Sequence, residues 1–113
     1  MKRLVNFLGM MGVCATLGCG GAATLPAPSN LTLSPLGAGI HVTWTRNSTD
    51  ESEFQIERKS GSADYAKLTS VPFGTTVYHD EPVTSGTAYF YRVRAAAGDR
   101  LSAYSNEANM KAP

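Results

Sequence analysis

Apolar and polar residues alternate along most of this chain, most clearly between Ala88 and Ala97. There Tyr89, Tyr91, Val93 and Ala95 fall on one face, and Phe90, Arg92 and Arg94 on the other. Ser85-Gly86 supplies a turn ahead of the run. A period of two with one apolar face is the pattern of a strand buried on one side of an antiparallel sheet. The same period predicts strands over Ser29–Ser34, Ile40–Thr45, Glu53–Arg58, Tyr65–Val71, Thr75–His79 and Tyr104–Met110. Gly, Pro, Asn, Ser and Asp cluster between them, at Pro35–Gly39, Arg46–Ser52, Ser60–Asp64, Pro72–Gly74 and Gly98–Arg100, and punctuate the chain as turns. No stretch sustains a helical period. Short strands with closely spaced turn signals predict an all-β sandwich or a small barrel.

Particular residues narrow that choice. Trp44 in the second strand, Phe54-Gln55-Ile56-Glu57-Arg58 in the third, Tyr78-His79-Asp80, and the run Gly86-Thr87-Ala88-Tyr89-Phe90-Tyr91-Arg92-Val93-Arg94-Ala95 fit one pattern. The pattern resembles a fibronectin type III domain over Pro28 to Ala112, with Val83 where that family usually has Leu. The resemblance implies a seven-stranded immunoglobulin-like β-sandwich. It implies that Tyr89 forms a tyrosine corner, its phenol reaching back to the backbone of the connection before its strand. The expected core is Trp44, Phe54, Ile56, Tyr89, Tyr91 and Val93. A ring the size of Trp44 buries on the order of 200 Å², worth several kcal/mol at about 25 cal/mol per Å².

The N-terminus reads differently. Met1-Lys2-Arg3 is a basic head, and Leu4 to Leu17 an apolar run. The run falls short of the roughly 20 residues that span a bilayer but suits an export signal. It ends in Gly18-Cys19, which resembles the lipobox of bacterial lipoproteins, where the Cys is lipidated and becomes the new N-terminus. Thr16 stands where that family prefers a branched aliphatic residue; ordinary cleavage near Ala23 is the alternative, and would yield a soluble secreted or periplasmic protein. The expected organisation is a signal peptide over 1–18, a lipidated Cys19 and flexible tether over 19–28, and the domain over 29–113. Cys14 leaves with the signal, so no disulfide is expected.

Charge excludes some partners. With Lys2 and Arg3 removed, eight basic residues face nine acidic ones. A near-neutral domain has no electrostatic basis for nucleic-acid binding, and membrane contact is expected through the lipid anchor only. The two histidines, His41 and His79, lie on predicted outer faces, and a filled sandwich leaves no pocket for a nucleophile and base. No enzyme activity, cofactor or metal is expected. Gly98-Asp99-Arg100 is not an Arg-Gly-Asp motif. Asn30-Leu31-Thr32 and Asn47-Ser48-Thr49 fit the glycosylation pattern, which has no meaning in a bacterium.

What remains is surface. Phe90, Arg92 and Arg94 point outward beside Gln55 and Glu57. They form either a solvated face with a Glu57–Arg pair or a docking face with Phe90 as its anchor. The Arg46–Ser52 loop and Phe73, core plug or exposed tip, are lesser candidates. The expected function is a monomeric, non-enzymatic envelope module with a protein or glycan ligand. The alternatives are a spacer without a ligand and an accessory module of carbohydrate-active enzymes. Two geometric expectations follow from strand order: His41 and His79 neighbour each other on one outer face, and the N-terminus shares an end with the loops Arg46–Ser52, Pro72–Thr75 and Gly98–Ser102.

Overall fold

The computed structural model describes residues 25–113; the predicted signal segment and the predicted lipidation site at Cys19 lie outside the described residues. Eight strands follow in order: β1 Ser29–Leu36, β2 Gly39–Thr45, β3 Glu53–Ser60, β4 Ala66–Pro72, β5 Val77–Asp80, β6 Ala88–Ala97, β7 Arg100–Leu101 and β8 Ala108–Lys111. They form two antiparallel sheets. The smaller runs β1-β2-β5; the larger runs β4-β3-β6-β7, with β8 also on β6. This is the immunoglobulin-like sandwich that the resemblance implies, one of the two architectures that the alternation allows.

Two hairpins set the registers. Leu36 pairs with Gly39 and Ala97 with Arg100, each across a two-residue turn. The first turn residue is a glycine in both, Gly37 at φ +59° and Gly98 at φ +60°. Positive φ at only the first central position is the II′ arrangement, whose twist matches that of the flanking strands.

Ile40, Val42 and Trp44 of β2 face Phe54 and Ile56 of β3 and Tyr91, Val93 and Ala95 of β6 across the core. Trp44 and Phe54 meet edge to face, with ring centroids 5.7 Å apart, the geometry the ring quadrupole favours. Tyr89 closes the same core. Its hydroxyl accepts a 2.9 Å hydrogen bond from the Thr84 backbone N–H, the tyrosine corner.

The last predicted strand is broken. Tyr104–Met110 was expected as one element, but pairing stops after Leu101 and resumes at Ala108. Serines carry the edge across the gap. The Ala95 N–H donates to Ser102 Oγ at 2.7 Å, and Val93 N–H donates to Ser105 Oγ at 3.0 Å. The Ser102 and Ser105 N–H groups donate to the Ala95 and Val93 carbonyls in return. Ser hydroxyls thus stand in for ladder carbonyls, and the buried backbone of β6 stays satisfied. Asn106 then bridges the sheets: its Oδ1 accepts from Leu31 N–H at 2.9 Å and its Nδ2 donates to the Leu31 carbonyl at 3.1 Å.

The domain also begins earlier than its strand pattern. Leu25, expected in the tether, is 4% exposed and packs in the core. Asn47 Nδ2 holds the chain after it, donating to the Ala27 carbonyl at 2.9 Å and to Ser29 Oγ at 3.0 Å. Among the described residues the core therefore reaches back to Leu25, four residues before β1.

Candidate binding face

The outer face of the larger sheet gathers the residues expected there. β3 and β6 are registered so that Gln55 opposes Arg94, Glu57 opposes Arg92 and Lys59 opposes Phe90. Directly opposed side chains on antiparallel strands touch. Arg92 lies 2.7 Å from Glu57 Oε1 through Nη2 and 2.8 Å through Nε. The Tyr104 hydroxyl donates to Glu57 Oε2 at 2.8 Å. Arg94 Nε donates to Gln55 Oε1 at 2.9 Å, and Gln55 Nε2 passes the chain on to Glu53 Oε2 at 2.9 Å.

Three residues that the alternation did not single out complete the face. Tyr65, just before β4, and Tyr104, in the serine-stitched gap, enclose the Arg92 guanidinium, whose carbon lies 4.2 Å and 3.8 Å from their ring centroids. Arg94 lies 4.9 Å from the Tyr104 centroid. The Lys59 ammonium is 5.0 Å from the Tyr65 ring and 5.2 Å from that of Phe90. Each contact places a cation over a negative ring face. Phe90 is half-buried beneath Lys59 rather than a protruding anchor.

The electrostatics follow from the packing. Burial pushes the Glu57 carboxyl up, but the hydrogen bonds from Arg92 and Tyr104 outweigh it and hold Glu57 below its ordinary range. Burial, then the Glu57 carboxylate, raises the Tyr104 phenol. Burial and the Glu107 carboxylate raise Tyr65. The face is thus a closed ladder of stacked and paired charges. No short-range signal in the sequence marks it: Tyr65, Arg92 and Tyr104 come from three separate segments and meet only through the sheet order.

A buried carboxylate occupies each end of the sandwich. At the N-terminal end Glu51 is 4% exposed. It accepts from Ser48 Oγ at 2.6 Å, Arg46 Nε at 2.6 Å and the Gly74 N–H at 3.0 Å. Burial opposes its ionisation, but these three donors prevail and hold its pKa at about 2. The hub extends further: Phe73 N–H donates to the Ser52 carbonyl, Ser52 N–H to that of Ala96, and Arg100 pairs with Asp50 at 2.8 Å. With Asn47 on Ala27, the three predicted loops and the N-terminal segment share this end.

At the far end Asp80, 3% exposed, bridges the sheets. Arg58 of β3 donates to its two oxygens at 3.1 and 2.9 Å, and the Tyr91 hydroxyl of β6 donates to Oδ2 at 2.5 Å. Burial and the Asp80 carboxylate drive the Tyr91 phenol far above its usual value. Desolvation works against the Arg58 charge, yet Asp80 more than restores it. The Arg58 guanidinium also lies 5.1 Å from the Tyr89 centroid.

His41 and His79 are register partners on the outer face of the smaller sheet. His79 Nε2 lies 3.0 Å from Glu81 Oε1. Among the described residues no group of three or more His, Cys, Asp or Glu is placed to hold a metal ion.

The architecture is that of the fibronectin type III sandwiches, and solved structures of that kind resemble it. A Fn3-like protein from Clostridium thermocellum superposes with a TM-score of 0.67 at 22% identity, over 80% of this chain and 96% of that one. The FN3 domain of human collagen XX gives 0.65 at 18% identity, over 84% and 99%. A β-1,2-glucanase from Parabacteroides distasonis gives 0.70 at 20% identity, over 80% of this chain and 13% of the enzyme. No protein-family model and no curated protein sequence matches the chain. A likeness at this level of identity gives the fold, and function has to be argued from the site.

Proposed function

We propose that this chain is a non-catalytic binding module of the bacterial cell envelope, anchored through a lipidated Cys19, whose ligand is a protein held on the outer face of the larger sheet. The observation that supports it is the Tyr65–Arg92–Tyr104 stack with Lys59, Phe90 and Arg94 around it. Arg and Tyr are the residue types that concentrate interface energy. Here their rotamers are already held by stacking and by Glu57, so docking costs little side-chain entropy. A glycan fits less well, because sugars stack on open aromatic rings and a cation already covers a face of Tyr65, Tyr104 and Phe90.

The test is capture of envelope proteins and glycans by the full chain, compared with a Phe90→Ala/Arg94→Ala variant. These two side chains can be removed without stripping Glu57 of Arg92. Loss of a specific protein ligand in the variant supports the assignment; a ligand retained at equal affinity removes it from this face. The second reading is a spacer or enzyme-accessory domain with no ligand of its own. It draws on the same ladder, whose charges are satisfied within the chain, and on the likeness to a domain of a glucanase. Envelope fractions that yield no ligand for either protein favour it.

A further inference from the structure

Four large apolar side chains of the described structure are exposed: Phe73 at 67%, Leu36 at 51%, Leu101 at 45% and Val77 at 44%. Their placement is uneven. Phe73 sits in the turn between β4 and β5, Val77 opens β5, and Leu101 follows the β6–β7 turn. All three lie at the end where the chain enters the fold. Phe73 and Leu101 belong to one rigid unit, because Ser52 links them: it accepts from the Phe73 N–H and donates to the carbonyl of Ala96, the register partner of Leu101. Leu36 alone stands at the opposite end, as the last residue of β1.

The N-terminal segment decides what this tip can reach. Leu25 is buried and Ala27 is held by Asn47, so Gly20 to Thr24 are the residues between Cys19 and this packed segment. Five residues and their flanking bonds span at most roughly 20 Å, less than the diameter of a small domain. A bilayer anchor at Cys19 therefore keeps the N-terminal end of the sandwich against the membrane. Two charge pairs at this end, Arg46 with Glu51 and Arg100 with Asp50, are closed within the chain, which lowers the cost of bringing them to a surface; Asp99, in the β6–β7 turn, is exposed. A Phe and a Leu on rigid turns suit the interfacial zone of a bilayer, where apolar side chains gain burial while the turn backbone stays hydrated.

We infer that Phe73 and Leu101 form a membrane-contacting tip that inserts into the interfacial region of the lipid surface holding Cys19, and so fixes the orientation of the domain. The inference rests on the lipid-anchor reading above. In that orientation the strands stand away from the bilayer, the Tyr65–Arg92–Tyr104 face looks sideways along it, and the turns Gly37-Ala38 and Gly61-Ser62 point away.

The experiment uses the full-length lipoprotein reconstituted in phosphatidylethanolamine–phosphatidylglycerol vesicles. Phe73→Cys, Leu101→Cys and Leu36→Cys variants each carry one environment-sensitive fluorophore; Leu36 controls for an exposed apolar site at the other end. Headgroup-region spin-labelled lipid should quench the probes at positions 73 and 101 at least threefold more than the probe at 36, with a blue-shifted emission at the first two. Equal quenching at the three sites, or more at 36, overturns the inference and leaves the anchor standing. Failure of the protein to float with the vesicles overturns the anchor and the inference together. A blue shift that grows with protein density but is insensitive to the spin label assigns the tip to a second copy of the chain, and also overturns it.

Discussion

The two ends of the sandwich solve one problem in different ways. Each buries a carboxylate, Glu51 at the N-terminal end and Asp80 at the far end. The partners of Asp80 are on strands: Arg58 on β3 and Tyr91 on β6, both in the sheet opposite its own. Their positions are set by the ladders, so Asp80 binds one finished sheet to the other. The partners of Glu51 are in connections: Arg46, Ser48 and the Gly74 N–H. It gathers segments that have no ladder and gives them a common centre. The same chemistry thus acts as a cross-tie on rigid elements and as an organiser of loops.

The comparison can be broken most sharply at Arg58. Arg58→Met leaves the buried Asp80 carboxyl with Tyr91 as its one remaining side-chain partner. Removing one partner of a fully buried pair costs about 3 to 5 kcal/mol; the Arg58 side chain is 30% exposed, so a urea titration should show a loss of about 2 to 3 kcal/mol. A loss below 1 kcal/mol would mean that Asp80 reaches water, and the contrast between the ends would fall. The same end should fail in alkali. Above pH 10 the unfolded Tyr91 ionises while the folded phenol, its pKa raised, cannot; stability should therefore fall as pH rises past 10, and less steeply in Tyr91→Phe.

Glu51→Gln is the matching test at the N-terminal end. The folded pKa lies at about 2 against an ordinary 4.5. The carboxylate therefore contributes stability above pH 4.5 that is lost as pH falls toward 2. Its full worth is at most about 3 kcal/mol by linkage, and the variant should lose about 2 at neutral pH. Its stability between pH 5 and 2 should also be flatter than that of the parent; parallel acid profiles would remove Glu51 from the account.

Gly39→Ala probes how tightly the far end is built. A Cβ there would lie 2.7 Å from the Asp80 carbonyl oxygen and 2.8 Å from His79 Nε2. The His ring can turn but the backbone must shift, so a loss of about 1 to 3 kcal/mol is expected. Unchanged melting would show slack beside Asp80. The smallest effect is at the tyrosine corner. Tyr89→Phe deletes one acceptor for the Thr84 N–H and should cost about 1 kcal/mol, read as a shift of a few degrees in Tm. A change within experimental error would mean that water replaces the phenol.

The strands and the inward residues could be read from the chain because both rest on a period of two; that period left sandwich or barrel open, and the resemblance carried by Trp44 and the Gly86 to Ala95 run chose the sandwich. Trp44, Phe54, Ile56, Tyr91 and Val93 are inside because alternation leaves them no other face. Gly37 and Gly98 mark hairpins because their φ is positive and other residues resist it. These are local properties, written within a few neighbouring residues. What tertiary structure alone decided joins residues far apart in sequence. Arg92 is held between Tyr65 and Tyr104, and Asp80 meets Arg58 and Tyr91, only once the strand order β4-β3-β6 and the packing of the two sheets are set. The break in the last strand belongs there too, because Ser102 and Ser105 act as ladder acceptors only beside β6. Leu25 looked like part of a tether because an isolated apolar residue has no period; it is core because the end of the sandwich left a space that it fills.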